Sequence, residues 1–259
     1  MLQGFDERNR DLIVNVAGHL THRDQAGVSP FDSVPSDEEI THEIGRTLQA
    51  NGMTDGVHIR LTLTRGVKIT SGMDPRLNQA GPTLIVLAEH KPPVYDTSGI
   101  TLITSSVRRT APDSIDPKIH HNNLLASILA KIEANVAGAD DALMLDHRGY
   151  VAETNATNVF LVDGGVLGTP TAAACPEGIT RGAELELAAE AGLECAVGDY
   201  SLTQLYTADE LFVTGTMGGI APVIALDGRR IGDGSPGPVT LRLTKLLAEL
   251  TAQTGTPVT

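Results

Sequence analysis

Asn158-Val159-Phe160-Leu161-Val162 and Val166-Leu167-Gly168-Thr169, separated by Asp163-Gly164-Gly165, decide the fold. Both flanks are rich in apolar and β-branched residues, and an Asp-Gly-Gly turn between such runs closes an antiparallel hairpin. A second pair precedes it, Ala142 to Leu145 and Tyr150 to Glu153 around Asp146 to Gly149. Helices bracket the hairpins. Leu124, Leu125, Ile128, Leu129, Ile132 and Val136 recur at helical spacing and stop at Gly138. Ile179-Thr180-Arg181 leads into another helix through Leu185 and Leu187 that stops at Gly192. Hairpins interleaved with single helices imply an α+β fold rather than a parallel βαβ succession.

The same pattern extends to both ends. Ser36 stands three residues before Glu39 and precedes Ile40, Ile44 and Leu48, with Asn51-Gly52 after them, which predicts a capped helix over 37–50. Val57 to Thr64 alternates apolar and polar residues and puts Arg60 on the polar face. Thr83 to Ala88 and Ile100 to Ser105 read as strands, and Leu12 to Val16 with His19 to Thr21 reads as an opening hairpin. Lys91-Pro92-Pro93 lacks the donors of a strand and marks a seam between two lobes. The domain cut is placed within Thr110 to Pro117, giving a small lobe over 1–112 and a larger one over 113–259. Glu210 to Gly215 and Pro222 to Leu226 are further strands, and Val239 to Leu250 is a closing helix.

Composition narrows the function. With 259 residues, 41% of them hydrophobic, the chain can bury a sizeable core. A net charge of −13 repels phosphate backbones and anionic headgroups, and the absence of Trp removes a stacking platform for single strands, so neither nucleic acid nor membrane is an expected partner. Cys175 and Cys195 form neither a disulfide framework nor a metal knuckle, and no metal site is expected. Met1 to Arg10 carries no apolar leader run, which suggests a cytoplasmic protein.

Three stretches could carry chemistry. In Gly178-Ile179-Thr180-Arg181, backbone N–H groups and the Thr180 hydroxyl converge where a loop enters a helix, a geometry that suits an anion and equally an ordinary N-cap. Gly215-Thr216-Met217-Gly218-Gly219 follows a strand and permits close backbone approach to a ligand, or simply a tight turn. Glu153 ends a strand and is followed by short polar residues up to Asn158, as many surface loops are. Two anion-friendly turns in one lobe point to a phosphorylated small molecule.

Glu153, Asn158, Phe160, Thr169 and Gly178 to Arg181 together resemble the signature of the class IV aminotransferases, the fold-type IV enzymes of pyridoxal 5'-phosphate. That family includes branched-chain and D-amino-acid aminotransferases and aminodeoxychorismate lyase. The resemblance implies a two-lobed fold-type IV architecture, a homodimer, and transfer of an amino group between a small, branched-chain-like amino acid and a 2-oxo acid. It implies that Glu153 pairs with the pyridine nitrogen, that Ile179, Thr180 and Thr216 hold the phosphate, and that Met217 and Arg60 meet substrate. The family's Schiff-base lysine precedes the helix that begins near Leu124. Lys118 has the lysine-to-asparagine spacing of branched-chain members, whereas counting back from Glu133 puts His120 there.

The chain also departs from the family. Relatives place a Gly-rich strand, a hairpin and a long helix between the counterparts of Phe31-Asp32-Ser33-Val34 and Pro35-Ser36-Asp37, and here Val34 joins Pro35 directly. The missing block normally carries an arginine to the phosphate and part of the small lobe's core, so the small lobe is truncated. A lyase of the aminodeoxychorismate type, and a degenerate cofactor-free member serving as scaffold or retooled enzyme, are the rival readings.

Overall fold

The computed structural model describes residues 13–14, 34–92 and 94–258. The expected hairpin over Leu12 to Val16 and His19 to Thr21 lies outside them except for Ile13–Val14, as does Phe31-Asp32-Ser33. Two compact units form, Met1–Pro92 with Leu250–Thr259, and Pro93–Glu249.

In the smaller unit, helix α1 (Asp37–Asn51) starts where the sequence places it. Ser36 Oγ accepts from the Glu39 N–H, the Ser36 N–H donates to Glu39 Oε2, and Gly52 closes the helix at φ 63°. Ile40, Ile44 and Leu48 on one face pack against Val57, Ile59 and Val258. Strands β2 (Val57–Thr64) and β3 (Thr83–His90) pair antiparallel along their whole length, with Ile59 opposite Ala88. Arg60 is exposed on the face away from Val57 and Ile59, as alternation requires. β1 (Ile13–Val14) pairs with the C-terminal Thr256–Pro257. The two-stranded sheet of β2 and β3 keeps Ile85 50% and Leu87 46% exposed.

The larger unit holds a nine-stranded mixed sheet. Its elements in chain order are β4 (Ile100–Thr104), α2 (Leu125–Ala137), β5 (Asp141–Leu145), β6 (Val151–Thr154), β7 (Asn158–Asp163), β8 (Val166–Pro170), α3 (Ile179–Glu190), β9 (Cys195–Gly198), α4 (Leu202–Thr207), β10 (Glu210–Gly215), β11 (Gly219–Leu226) and β12 (Arg229–Arg230). The spatial order is β6-β5-β4-β11-β10-β7-β8-β9, with β12 on β11. The deciding hairpin forms as expected: Leu161 pairs with Gly168, and Gly164 and Gly165 turn at φ 56° and 84°. This division differs from the cut at 112/113. β4 pairs in parallel with both β5 and β11, and the N–H groups of Ser105 and Arg109 continue the ladder to Leu143 O and Leu145 O, so residues 100–109 belong to the large sheet.

One sheet face packs Ile100, Leu102, Leu143, Val159, Leu161, Leu211, Val213 and Val223 together. The opposite side of β7 and β10 carries the stacked rings of Phe160 and Phe212, 4.9 Å apart. Helix α5 (Pro238–Gln253) has no cap of its own. The buried Glu210 carboxylate, on β10, accepts from the N–H groups of Val239 and Thr240 at 3.0 and 2.8 Å and from Thr240 Oγ1 at 2.7 Å. Removing this acceptor strands three donors, two of them buried, so Glu210→Ala should lower stability by about 2–4 kcal/mol. Ser36→Ala at the exposed cap of α1 should cost only about 1 kcal/mol. Urea unfolding of both variants checks the ranking, and equal losses would contradict the anchoring role of Glu210.

Candidate active site

Glu153 lies on β6, one residue before its end, and is buried. Its Oε1 is 2.8 Å from an Arg109 guanidinium nitrogen. Arg109 is itself held from several sides: Nε donates to Ala174 O at 3.2 Å, Nη1 to Ser127 Oγ at 3.1 Å, and its backbone N–H to Leu145 O. Upstream, Glu133 on α2 accepts from both hydroxyls of Ser105 and Ser106 and from the Ser106 N–H, which fixes the segment that delivers Arg109. Burial pushes the Glu153 carboxyl up to about 8, while the Arg109 charge draws it back down. Burial likewise pushes the Cys175 thiol up to about 12, with Glu153 adding to the rise.

The residues after Glu153 join it to both candidate anion turns. Thr154 and Thr157 share a hydroxyl–hydroxyl bond of 2.6 Å, and a Cβ on Gly215 would come within 2.9 Å of Thr157 Cγ2. Asn158 pairs with Thr214 in the sheet, and its amide donates to Pro176 O at 3.3 Å. A Cβ on Gly178 would collide with Asn158 Oδ1, so any side chain there would displace the Asn158 amide where the chain enters α3. Gly178 is extended, and α3 starts without a side-chain cap, which leaves Ile179 and the buried Thr180 at an N-terminal turn suited to an anion. Arg181 is used structurally: its Nε and Nη2 reach Thr169 Oγ1 and Pro170 O. Thr216 and Met217 occupy the exposed turn between β10 and β11, and Gly218 lies against the Tyr95 ring, whose hydroxyl donates to Asp141 Oδ2 at 2.5 Å.

Thus Glu153, Ile179, Thr180, Thr216 and Met217 share one sheet and its connecting turns. Arg60 belongs to the smaller unit. Lys118 lies in the larger unit, but its side chain is 45% exposed and its ammonium is 3.9 Å from Asp116 Oδ2. His120 is exposed. The sequence has five lysines, and the other four are also engaged: Lys68 on Gly72 O, Lys91 on Glu89, Lys131 on Asp141 and Lys245 on Glu249. Arg109 was missed. Its one visible signal is a paired cation, Arg108-Arg109, just past a strand.

A family profile described as "Amino-transferase class IV" matches residues 25–226. The chain belongs to the class IV aminotransferase family. Branched-chain-amino-acid aminotransferase-like proteins 1 and 2 of Arabidopsis thaliana are 52% identical over 236 residues, covering 91% of this chain, and the chain spans only 42% of their length. The branched-chain-amino-acid aminotransferase of Salmonella typhimurium is 42% identical over 248 residues, 92% of this chain and 79% of that protein. Among solved structures, the T.th. branched-chain amino acid aminotransferase complexed with N-(5'-phosphopyridoxyl)-L-glutamate matches with TM-score 0.84 and 34% identity, covering 92% of this chain and 79% of that one. The enzyme from Escherichia coli matches with TM-score 0.85 and 29% identity, covering 96% and 82%. The fold-type IV architecture expected from the motifs is therefore the fold of this class IV chain.

If Arg109 holds Glu153, Arg109→Met leaves a buried carboxyl without its counter-charge and should cost about 3–5 kcal/mol. Adding Glu153→Gln should recover part of that loss, because an amide needs no counter-charge. Additive losses in the double variant, measured by urea unfolding, would show that the two side chains act independently.

Proposed function

We propose that the protein is a pyridoxal 5'-phosphate-dependent aminotransferase that moves an amino group between a branched-chain-like amino acid and a 2-oxo acid. The observation that carries this reading is the buried Glu153 carboxyl, backed by Arg109 and linked through residues 154–158 to the uncapped start of α3. A pyridine nitrogen suits the first and a phosphate the second, so the cofactor fits the residues present. When bound, it supplies an electron sink for the substrate Cα.

The chain's residues then have distinct tasks. Glu153 holds a proton at the ring nitrogen, and Arg109 with Ser127 and Ala174 O keeps that carboxyl in place. Ile179, Thr180 and Thr216 bind the phosphate through N–H and hydroxyl donors. Lys118 is the amine that anchors the cofactor and moves the Cα proton; at 3.9 Å from its acidic partner, it is the most loosely held of the five lysines. Arg60 and Met217 are assigned to substrate, Arg60 as a cation for its carboxylate.

A second reading, a family member without a covalently anchored cofactor, draws on the exposure of Lys118 beside Asp116. Borohydride reduction after mixing with pyridoxal phosphate separates the two. The enzyme reading expects the phosphopyridoxyl group on the peptide carrying Lys118. An adduct on Lys131 or Lys245, or none, supports the second reading and removes Lys118 from the mechanism.

We further propose a homodimer and a cytoplasmic location. Leu125, Ile128, Ile132 and Val136 are all exposed along one stripe of α2, beside the arm that delivers Arg109. A second copy would cover such a stripe. No described helix is long and apolar enough to cross a membrane. Light scattering at micromolar concentration should give twice the chain mass, and Ile128→Glu should shift it to the single-chain mass. A monomeric wild type would contradict the dimer.

A further inference from the structure

Glu184 is a buried acid that nothing in the proposed chemistry uses. It lies on α3, one and a half turns beyond Ile179, and has no exposed surface. Neither carboxyl oxygen has a hydrogen-bond partner among the described residues. Thr214 Oγ1 on β10, against which α3 packs, is likewise buried and unpartnered.

The titratable groups around α3 are occupied elsewhere. On the helix itself, Arg181 is bonded to Thr169 and Pro170, and Glu186 and Glu190 are exposed. On β10, Glu210 caps α5. On β9, burial pushes the Cys195 thiol up, and it donates to Leu193 O. From α5, Arg242 reaches Ala191 O at 2.9 Å. Burial is the sole influence on the Glu184 carboxyl and pushes it up to about 8.

An ionised carboxylate without a partner in such surroundings is not tolerated: the group keeps its proton or moves to water. We propose that α3 stays seated on the sheet only while the buried Glu184 carboxyl keeps its proton, so that loss of that proton unseats the helix and withdraws the Ile179–Thr180 end from the site. The effect on anion binding rests on the phosphate role proposed above; the seating does not.

The sign follows from linkage. The seated carboxyl keeps its proton to about 8, whereas an unseated, hydrated one loses it near the ordinary 4.5. Between those values unseating releases a proton, so it becomes more favourable as pH rises, about tenfold per pH unit, and levels off above about pH 8.

Hydrogen exchange of the full chain reads this directly. Protection factors for peptides spanning 179–190, corrected for intrinsic exchange, are measured from about pH 5.5 to 8.5 for wild type, Glu184→Gln and Glu184→Met. The wild type should lose protection about tenfold per pH unit up to about pH 8, and both variants should be flat across the range. Should the glutamine variant fail to fold, the methionine variant, which removes the buried polar group altogether, decides. Flat protection in the wild type overturns the proposal. So does an unchanged pH slope in the foldable variant, which would assign the proton to another group such as Glu153. Saturating pyridoxal phosphate should raise protection of the same peptides at every pH. If the pH slope holds and the cofactor adds nothing, the seating stands and the phosphate role of α3 falls.

Discussion

The contact between the Arg109 guanidinium and the Glu153 carboxyl constrains everything around it. Both groups are taken out of water, and each is tolerable inside only while the other stays put. That demand explains why the arm after β4 is so heavily tied: Glu133 bonds Ser105 and Ser106, the Arg109 N–H extends the β5 ladder, and Ser127 and Ala174 O each take a further guanidinium donor. From Glu153 the chain runs through the Thr154–Thr157 bond to Asn158, which packs under Gly178. A single buried carboxyl is thereby coupled, contact by contact, to the start of α3.

Much of this was legible in the sequence because local chemistry dictated it. Ser36 with Glu39 specified the start of α1, and Gly164-Gly165 specified a turn whose two positive φ values exclude most other residues. Gly178 and Gly215 stood out as glycines, and their reason became visible only once Asn158 and Thr157 were found against them. Arg109 stayed hidden because its role depends on a carboxyl on another strand. The units divide at 92/93, at the expected Lys91-Pro92-Pro93 seam rather than at 112/113, because the partners of β4 lie on β5 and β11, far along the chain. Nothing local in the sequence marks Glu184 as fully buried.

The truncated smaller unit follows another rule. A two-stranded sheet is stable in water only if something covers a face, and α1 with Val258 covers one. The other leaves Ile85 and Leu87 half in solvent. The larger unit builds its sheet from nine strands and carries Glu153, Arg109 and α3.

The central claim is that Glu153 acts on the ring nitrogen rather than merely filling a buried position. Single-turnover amino transfer from leucine to pyridoxal phosphate, measured beside cofactor affinity in wild type and Glu153→Gln, tests it most directly. A neutral amide cannot hold the ring proton, so the account predicts a fall in rate of at least about a hundredfold with little change in affinity. Equal rates in a correctly folded Glu153→Gln protein would contradict it.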